Sequence, residues 1–159
     1  IPVEILEFPG RLSPQAMNVM RGHVKMTEYI LQDCVSDAVR DIALRHHEKL
    51  DGSGYPLGLK EGQLNLPQRI VAVADIVSAL TGTRSYKDAY PKEKTSAIVS
   101  EMAEKGLVDP GVAAVMAENY DAIMDSVRNR TRPILEKYQE MQEQYKKLSH
   151  EMREYMKAL

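Results

Sequence analysis

The chain has 159 residues, long enough for one domain with a real core and too short for two large ones. Its 21 Lys and Arg against 23 Asp and Glu leave a formal charge of -2, so there is no global basic field to capture a nucleic acid polymer or an anionic membrane, and any phosphate site must be local. Cys34 is the only cysteine, which excludes a disulfide framework and a thiolate zinc cage and fits a reducing compartment, the cytoplasm by default. No apolar run reaches the roughly eighteen residues of a membrane span, and the start shows no signal-peptide pattern. The first residue is Ile1 rather than Met, as expected of a piece of something longer.

In chain order, Ser13-Pro14 reads as an N-cap with proline at the first helical position, followed by an apolar stripe of Ala16, Met17, Val19 and Met20. Gly22 is expected to interrupt this helix just before His23, and a second helix to run from Val24 to Leu31. Ser36 caps a third that runs to His46-His47, with Val39, Ile42, Ala43 and His46 on one face. The Gly and Pro density of DGSGYPLG then rules out regular structure. Asn65-Leu66-Pro67 opens a helix that Thr81-Gly82-Thr83 closes, and Lys92–Lys105 and Pro110–Asn129 read as two further amphipathic helices. No segment alternates as a strand should, so the predicted fold class is all-α.

From Ile134 the pattern changes. Ile134, Tyr138, Met141, Tyr145, Leu148, Met152, Tyr155 and Leu159 follow a 4-3 spacing, a heptad seam among Glu, Gln, Lys and Arg. This predicts a long helix or coiled coil, with homodimerisation through it. Pro133, which can kink or restart a helix, places the boundary between a helical domain, 1–129, and a C-terminal helix, 130–159.

In Ile70–Leu80, IVAVADIVSAL, nine of eleven residues are apolar and Asp75 is the one carboxylate. Apolar residues on all sides predict a helix buried on all sides, where an ionised carboxylate needs a basic side chain, a shared proton or a metal as partner. Three of the four histidines, His23, His46 and His47, lie at helical segment ends upstream; His150 falls on the outer face of the C-terminal helix. Three imidazoles and a carboxylate make the nitrogen and oxygen set of first-row divalent metals, and the lack of thiolates favours iron or manganese over structural zinc. Gly52 and Gly54 in Asp51-Gly52-Ser53-Gly54 let the backbone after the histidine pair approach a ligand or helix closely.

The stretch HHEKLDGSGYP, His46 to Pro56, resembles the signature of the HD-GYP domains, metal-dependent phosphodiesterases of the HD superfamily that act on cyclic di-GMP. The resemblance runs from IPVEILEFPGRLS through RGH at Arg21–His23 to PQRIVAVADIVSALTGTRSYKDAY at Pro67–Tyr90. It implies an HD-superfamily helical bundle, with His23, His46, His47 and Asp75 as ligands of a di- or trinuclear centre of iron or manganese. It further implies that Arg84 and Lys87 hold substrate phosphates, and that Tyr55 and Pro56 line the substrate pocket or a partner surface. In such a centre the metals polarise the phosphoryl oxygens and lower the pKa of a bridging water that attacks phosphorus in line. The product is a linear dinucleotide or GMP, and diguanylate cyclase, receiver or sensor domains are the implied companions in bacterial second-messenger signalling.

The departures matter as well. The His-Asp dyad that the family places before the segment aligned with Ile1-Pro2 is absent, so the expectation is a fragment whose parent is the enzyme, with ligands here for one metal. Phe8 stands where the family has a basic residue. The alternative function is a catalytically silent HD-GYP module that binds a cyclic dinucleotide or partner proteins.

Overall fold

The computed structural model describes residues 1–82 and 89–158. They form seven α-helices and one short 3₁₀ turn, in two compact units, Ile1–Glu118 and Asn119–Leu159. Among the described residues there is no strand; the backbones of Asp51 and Lys60 pair antiparallel at a single point.

In the first unit the helices are α1 (Val3–Leu6), α2 (Pro14–Leu31), α3 (Asp37–Leu44), α4 (Leu66–Thr81), α5 (Lys92–Glu104) and α6 (Pro110–Glu118). The caps explain the starts. Ser13 accepts the Ala16 N–H at 3.2 Å, and the Ser36 hydroxyl lies 3.5 Å from the Val39 nitrogen. Asn65 and Gln68 form a reciprocal capping box, each side chain accepting from the other's backbone N–H. The core lies where α4 meets α3, α5 and α6, around Val73, Val77, Val99, Ala113 and Met116. Val73 and Val99 are almost wholly buried, which stabilises the fold by about 1.5–3 kcal/mol each.

Two polar ties set α4 in place. Asp41 on α3 accepts from the Gln68 amide and pairs with Arg45 at 3.0 Å, fixing the turn after α3 against the start of α4. Arg69 donates to the Leu64 and Glu61 carbonyls and to Asp109 Oδ2 at 2.9 Å, while Asp109 Oδ1 accepts the Val112 N–H in the first turn of α6. That N–H, and then the guanidinium, hold the Asp109 carboxyl below the usual carboxylate range.

Several helix boundaries differ from the sequence expectation. Gly22 does not break α2, because a glycine in a helix interior costs only about 0.5–1 kcal/mol relative to alanine. α3 stops at Leu44, so the histidine pair stands in the turn beyond it. The predicted Pro110–Asn129 helix is two, α6 and then α7 (Tyr120–Ala158). α7 passes through Pro133 without ending there.

The largest correction concerns α4, which is not buried on all sides. Gln68, Ala72, Val73 and Val77 are buried, whereas Leu66, Ile70, Ala74 and Ser78, spaced four apart, form an exposed stripe. The Asp75 side chain is 39% exposed. An apolar sequence reports a helix's composition and not which stripe its neighbours cover.

In the second unit, α7 is a single helix of 39 residues, about 58 Å long. Ile134, Tyr138, Met141, Tyr145, Leu148, Met152 and Tyr155 of the heptad seam are all exposed along it. No helix among the described residues is long and apolar enough to cross a membrane.

Candidate metal centre

His23 sits mid-way along α2, His46 and His47 follow the end of α3, and Asp75 is on α4. Their rings are drawn together from segments more than twenty residues apart in sequence. Ring centroids lie 4.0 Å apart for His46 and His47, 5.0 Å for His23 and His47, and 5.4 Å for His23 and His46.

The decisive detail is what each outer nitrogen does. His23 Nδ1 lies 2.6 Å from the Met20 carbonyl, and His46 Nδ1 lies 2.6 Å from the Ala43 carbonyl. His47 Nδ1 faces Asp75 Oδ2 at 3.3 Å. A carbonyl oxygen only accepts, so His23 and His46 carry the proton on Nδ1 and keep a lone pair on Nε2, and the carboxylate facing His47 Nδ1 favours the same tautomer there. Those lone pairs meet: His23 Nε2 is 3.2 Å from His46 Nε2 and 3.1 Å from His47 Nε2.

Lone pairs pointed at one another repel unless a cation lies between them. A proton on His47 is disfavoured, because burial first, and then the neighbouring His46 and His23, lower its pKa from 6.5 to about 4. A divalent metal fits. Nitrogen ligands at ~2.0–2.1 Å from one ion stand roughly 2.9–3.4 Å from each other, the spacing seen here. The carbonyl and carboxylate partners on Nδ1 are the outer contacts that fix the tautomer and orientation of metal-ligating histidines. Among the described residues this is the one such convergent group. Asp75 stands behind it, reaching the cluster through His47 rather than as a fourth converging atom.

The loop after the histidines closes over them. Gly54 backs onto the chain it has just left: a Cβ there would come within 2.4 Å of Lys49 N, 2.5 Å of Glu48 Cα and 2.6 Å of His47 O. That contact places the Tyr55 ring 4.6 Å from the His47 ring, with the Tyr55 N–H donating to the His47 carbonyl at 3.2 Å. Glu48, only 2% exposed, accepts the Leu57 N–H at 2.7 Å and the Leu59 N–H at 3.0 Å and so ties the far side of the loop down. The Tyr55-Pro56 bond is cis. Burial, and the Asp75 carboxylate after it, raise the Tyr55 phenol above its ordinary pKa, while Arg21 pulls the other way.

His46, His47 and Tyr55 line a cleft of about 650 Å³, and Pro56 is exposed and not among its lining residues. Arg84 and Lys87 lie outside the described residues. Two roles escaped the sequence reading: Glu48, which stands within the signature and ties the loop down, and Arg21, two residues before His23.

A model of the HD domain family matches residues 1–112. The chain belongs to the HD domain family. This HD domain is 41% identical over 114 residues to a cyclic di-GMP phosphodiesterase response regulator of Xanthomonas campestris, covering 69% of the chain and 30% of that protein. A cyclic di-GMP phosphodiesterase of Thermotoga maritima is 37% identical over 131 residues, 80% of the chain and 35% of the relative. A 3'3'-cGAMP-specific phosphodiesterase of Vibrio cholerae is 36% identical over 119 residues, 74% and 28%. The chain thus spans about a third or less of the length of these curated relatives.

Two outcomes follow from the local geometry. Gly54→Ala should lower unfolding stability in urea by about 1–3 kcal/mol, whereas Gly22→Ala, with open space around its Cβ, should raise it by about 0.5–1 kcal/mol; equal midpoints for the two would refute the packing described. Because His47 titrates lower folded than unfolded, the unfolded chain binds more protons between pH 6.5 and about 4. Stability of the metal-free chain should therefore be full above pH 6.5 and fall as the pH drops toward 4, and His47→Gln should flatten that fall in thermal melts across the window. An unchanged slope in the variant would contradict it.

Proposed function

We propose that this HD domain belongs to a metal-dependent phosphodiesterase that hydrolyses cyclic di-GMP to the linear dinucleotide or GMP. The observation behind this is the convergence of three Nε2 atoms, that of His23 lying 3.2 Å from His46 Nε2 and 3.1 Å from His47 Nε2, with every Nδ1 facing an oxygen acceptor, an arrangement that asks for a divalent cation. The names of the relatives supply the substrate class, cyclic dinucleotides. Cyclic di-GMP is favoured over the related cGAMP by the family resemblance, since no side chain described above reads a guanine edge.

In this reading His23, His46 and His47 hold the ion, and Asp75 supplies the one negative charge of the set while orienting His47. The four residues suit one ion, iron or manganese by their donor chemistry, and the di- or trinuclear centre belongs to the longer protein. A divalent ion supplies Lewis acidity toward phosphoryl oxygens and a water of lowered pKa. The protein's own part is positional: Gly54 and Glu48 press Tyr55 over the rings, limiting water and shaping the cleft that receives the substrate. Arg84 and Lys87 are assigned to the substrate phosphates by the family motif, as a planar fork and a point charge. Residues 1–129 are read as the catalytic module, in the cytoplasm with a sensor, receiver or cyclase partner domain. The seven exposed seam residues of α7 support a homodimer through 130–159; a monomer in sedimentation equilibrium would remove that element.

Purified without chelator, the chain should hold about one divalent ion, and His23→Ala or His47→Ala should abolish it. Asp75→Asn should weaken metal binding about 10–100-fold, as loss of an outer charged partner does. The parent protein with manganese should cleave cyclic di-GMP, and the same variants should lose that activity. A chain that takes up no divalent ion would contradict the proposal; a metal-loaded parent that binds cyclic di-GMP without cleaving it would point to the silent module.

A further inference from the structure

Three cations in the histidine cleft have no role in the chemistry above. Arg11 precedes α2, Arg21 is on α2 beside His23, and Lys49 follows the histidine pair; all three line the same cleft as His46, His47 and Tyr55. Among the described residues none of the three forms an ion pair, although Lys49 stands close enough to Asp51 to help lower its pKa. The one carboxylate in the cleft lining, Glu48, is already committed to the Leu57 and Leu59 N–H groups. The cleft wall is thus positive, and its volume falls within the roughly 300–1,000 Å³ of small-molecule sites.

Arg21 is also held in place. Its guanidinium carbon lies 5.1 Å from the centroid of the Tyr55 ring, a cation–π contact, and Tyr55 itself packs on His47. One forked donor therefore stands a single ring away from the histidine cluster. A cyclic dinucleotide carries two phosphodiester groups on opposite sides of its ring, and only one can lie at the histidines.

We propose that Arg11, Arg21 and Lys49 form a second phosphate subsite, which takes the phosphodiester that is not at the histidine cluster. This rests on the cyclic dinucleotide reading, and it names the residues that would make a two-phosphate ligand bind better than a one-phosphate ligand. Arg21 is the centre of the subsite, because a planar guanidinium both stacks on Tyr55 and donates two parallel hydrogen bonds to a phosphate, which a lysine cannot do.

The test compares the wild-type chain with Arg11→Gln/Arg21→Gln/Lys49→Gln, three replacements at exposed or half-exposed positions, by calorimetric titration of the metal-loaded protein. The probes are cyclic di-GMP and tripolyphosphate, at about 50 and about 200 mM salt. The triple variant should bind cyclic di-GMP at least about tenfold more weakly and with a flatter salt dependence, while metal content and melting temperature stay at wild-type values. Arg21→Lys should lose part of the affinity while keeping the charge. Equal affinity and salt dependence in wild type and triple variant would overturn the subsite and leave the function standing. If tripolyphosphate alone binds the wild type, and binds less well to the triple variant, the subsite stands and the cyclic dinucleotide reading falls. If neither probe binds the wild type, both are wrong.

Discussion

The fold around the candidate site depends on one electrostatic constraint: three imidazoles whose outer nitrogens all face oxygen acceptors bring their inner nitrogens together. The Met20 and Ala43 carbonyls, each three residues back, hold two rings, and Asp75 on α4 faces the third. With those tautomers, the three inner lone pairs repel until a cation enters. Burial first, and then the charges of His46 and His23, lower the His47 pKa well below the usual histidine range.

The rest of the domain serves to hold that constraint. Asp41 bridges Gln68 and Arg45, so the turn bearing His46 and His47 cannot move independently of the helix bearing Asp75. Arg69 and Asp109 lock the same helix to α6 on its other side. Gly54 and Glu48 then fold the following loop back, one by lacking a side chain and the other by offering two lone pairs to backbone donors. Both act through close backbone packing, so little adjustment is available to absorb a change at either position.

Much of this was legible in the residues. The N-caps at Ser13, Ser36 and Asn65, the absence of strand periodicity and the seam from Ile134 gave helices close to where they stand, because caps and heptads are local signals. The histidines and Asp75 were recognisable as a set from their chemistry and from the signature around Tyr55. What could not be read is equally specific. Gly22 looked like a break, since intrinsic propensity does not report tertiary support. The exposure of Asp75 and of the Ile70 stripe depends on which neighbours pack against α4. The tautomers of His23 and His46 depend on carbonyls three residues back in turns whose geometry the sequence does not state. Arg21 is 34 positions from Tyr55, and no local pattern joins them.

Nitrogen NMR of the histidine rings in the metal-free chain, followed by titration with zinc as a diamagnetic ion, tests the central claim most directly. The account predicts Nδ1-protonated tautomers for His23, His46 and His47 at neutral pH, with the Nε2 signals of all three shifting together as the ion enters and His150 unchanged. Nε2-protonated rings in the metal-free state, or a response confined to one ring, would contradict it.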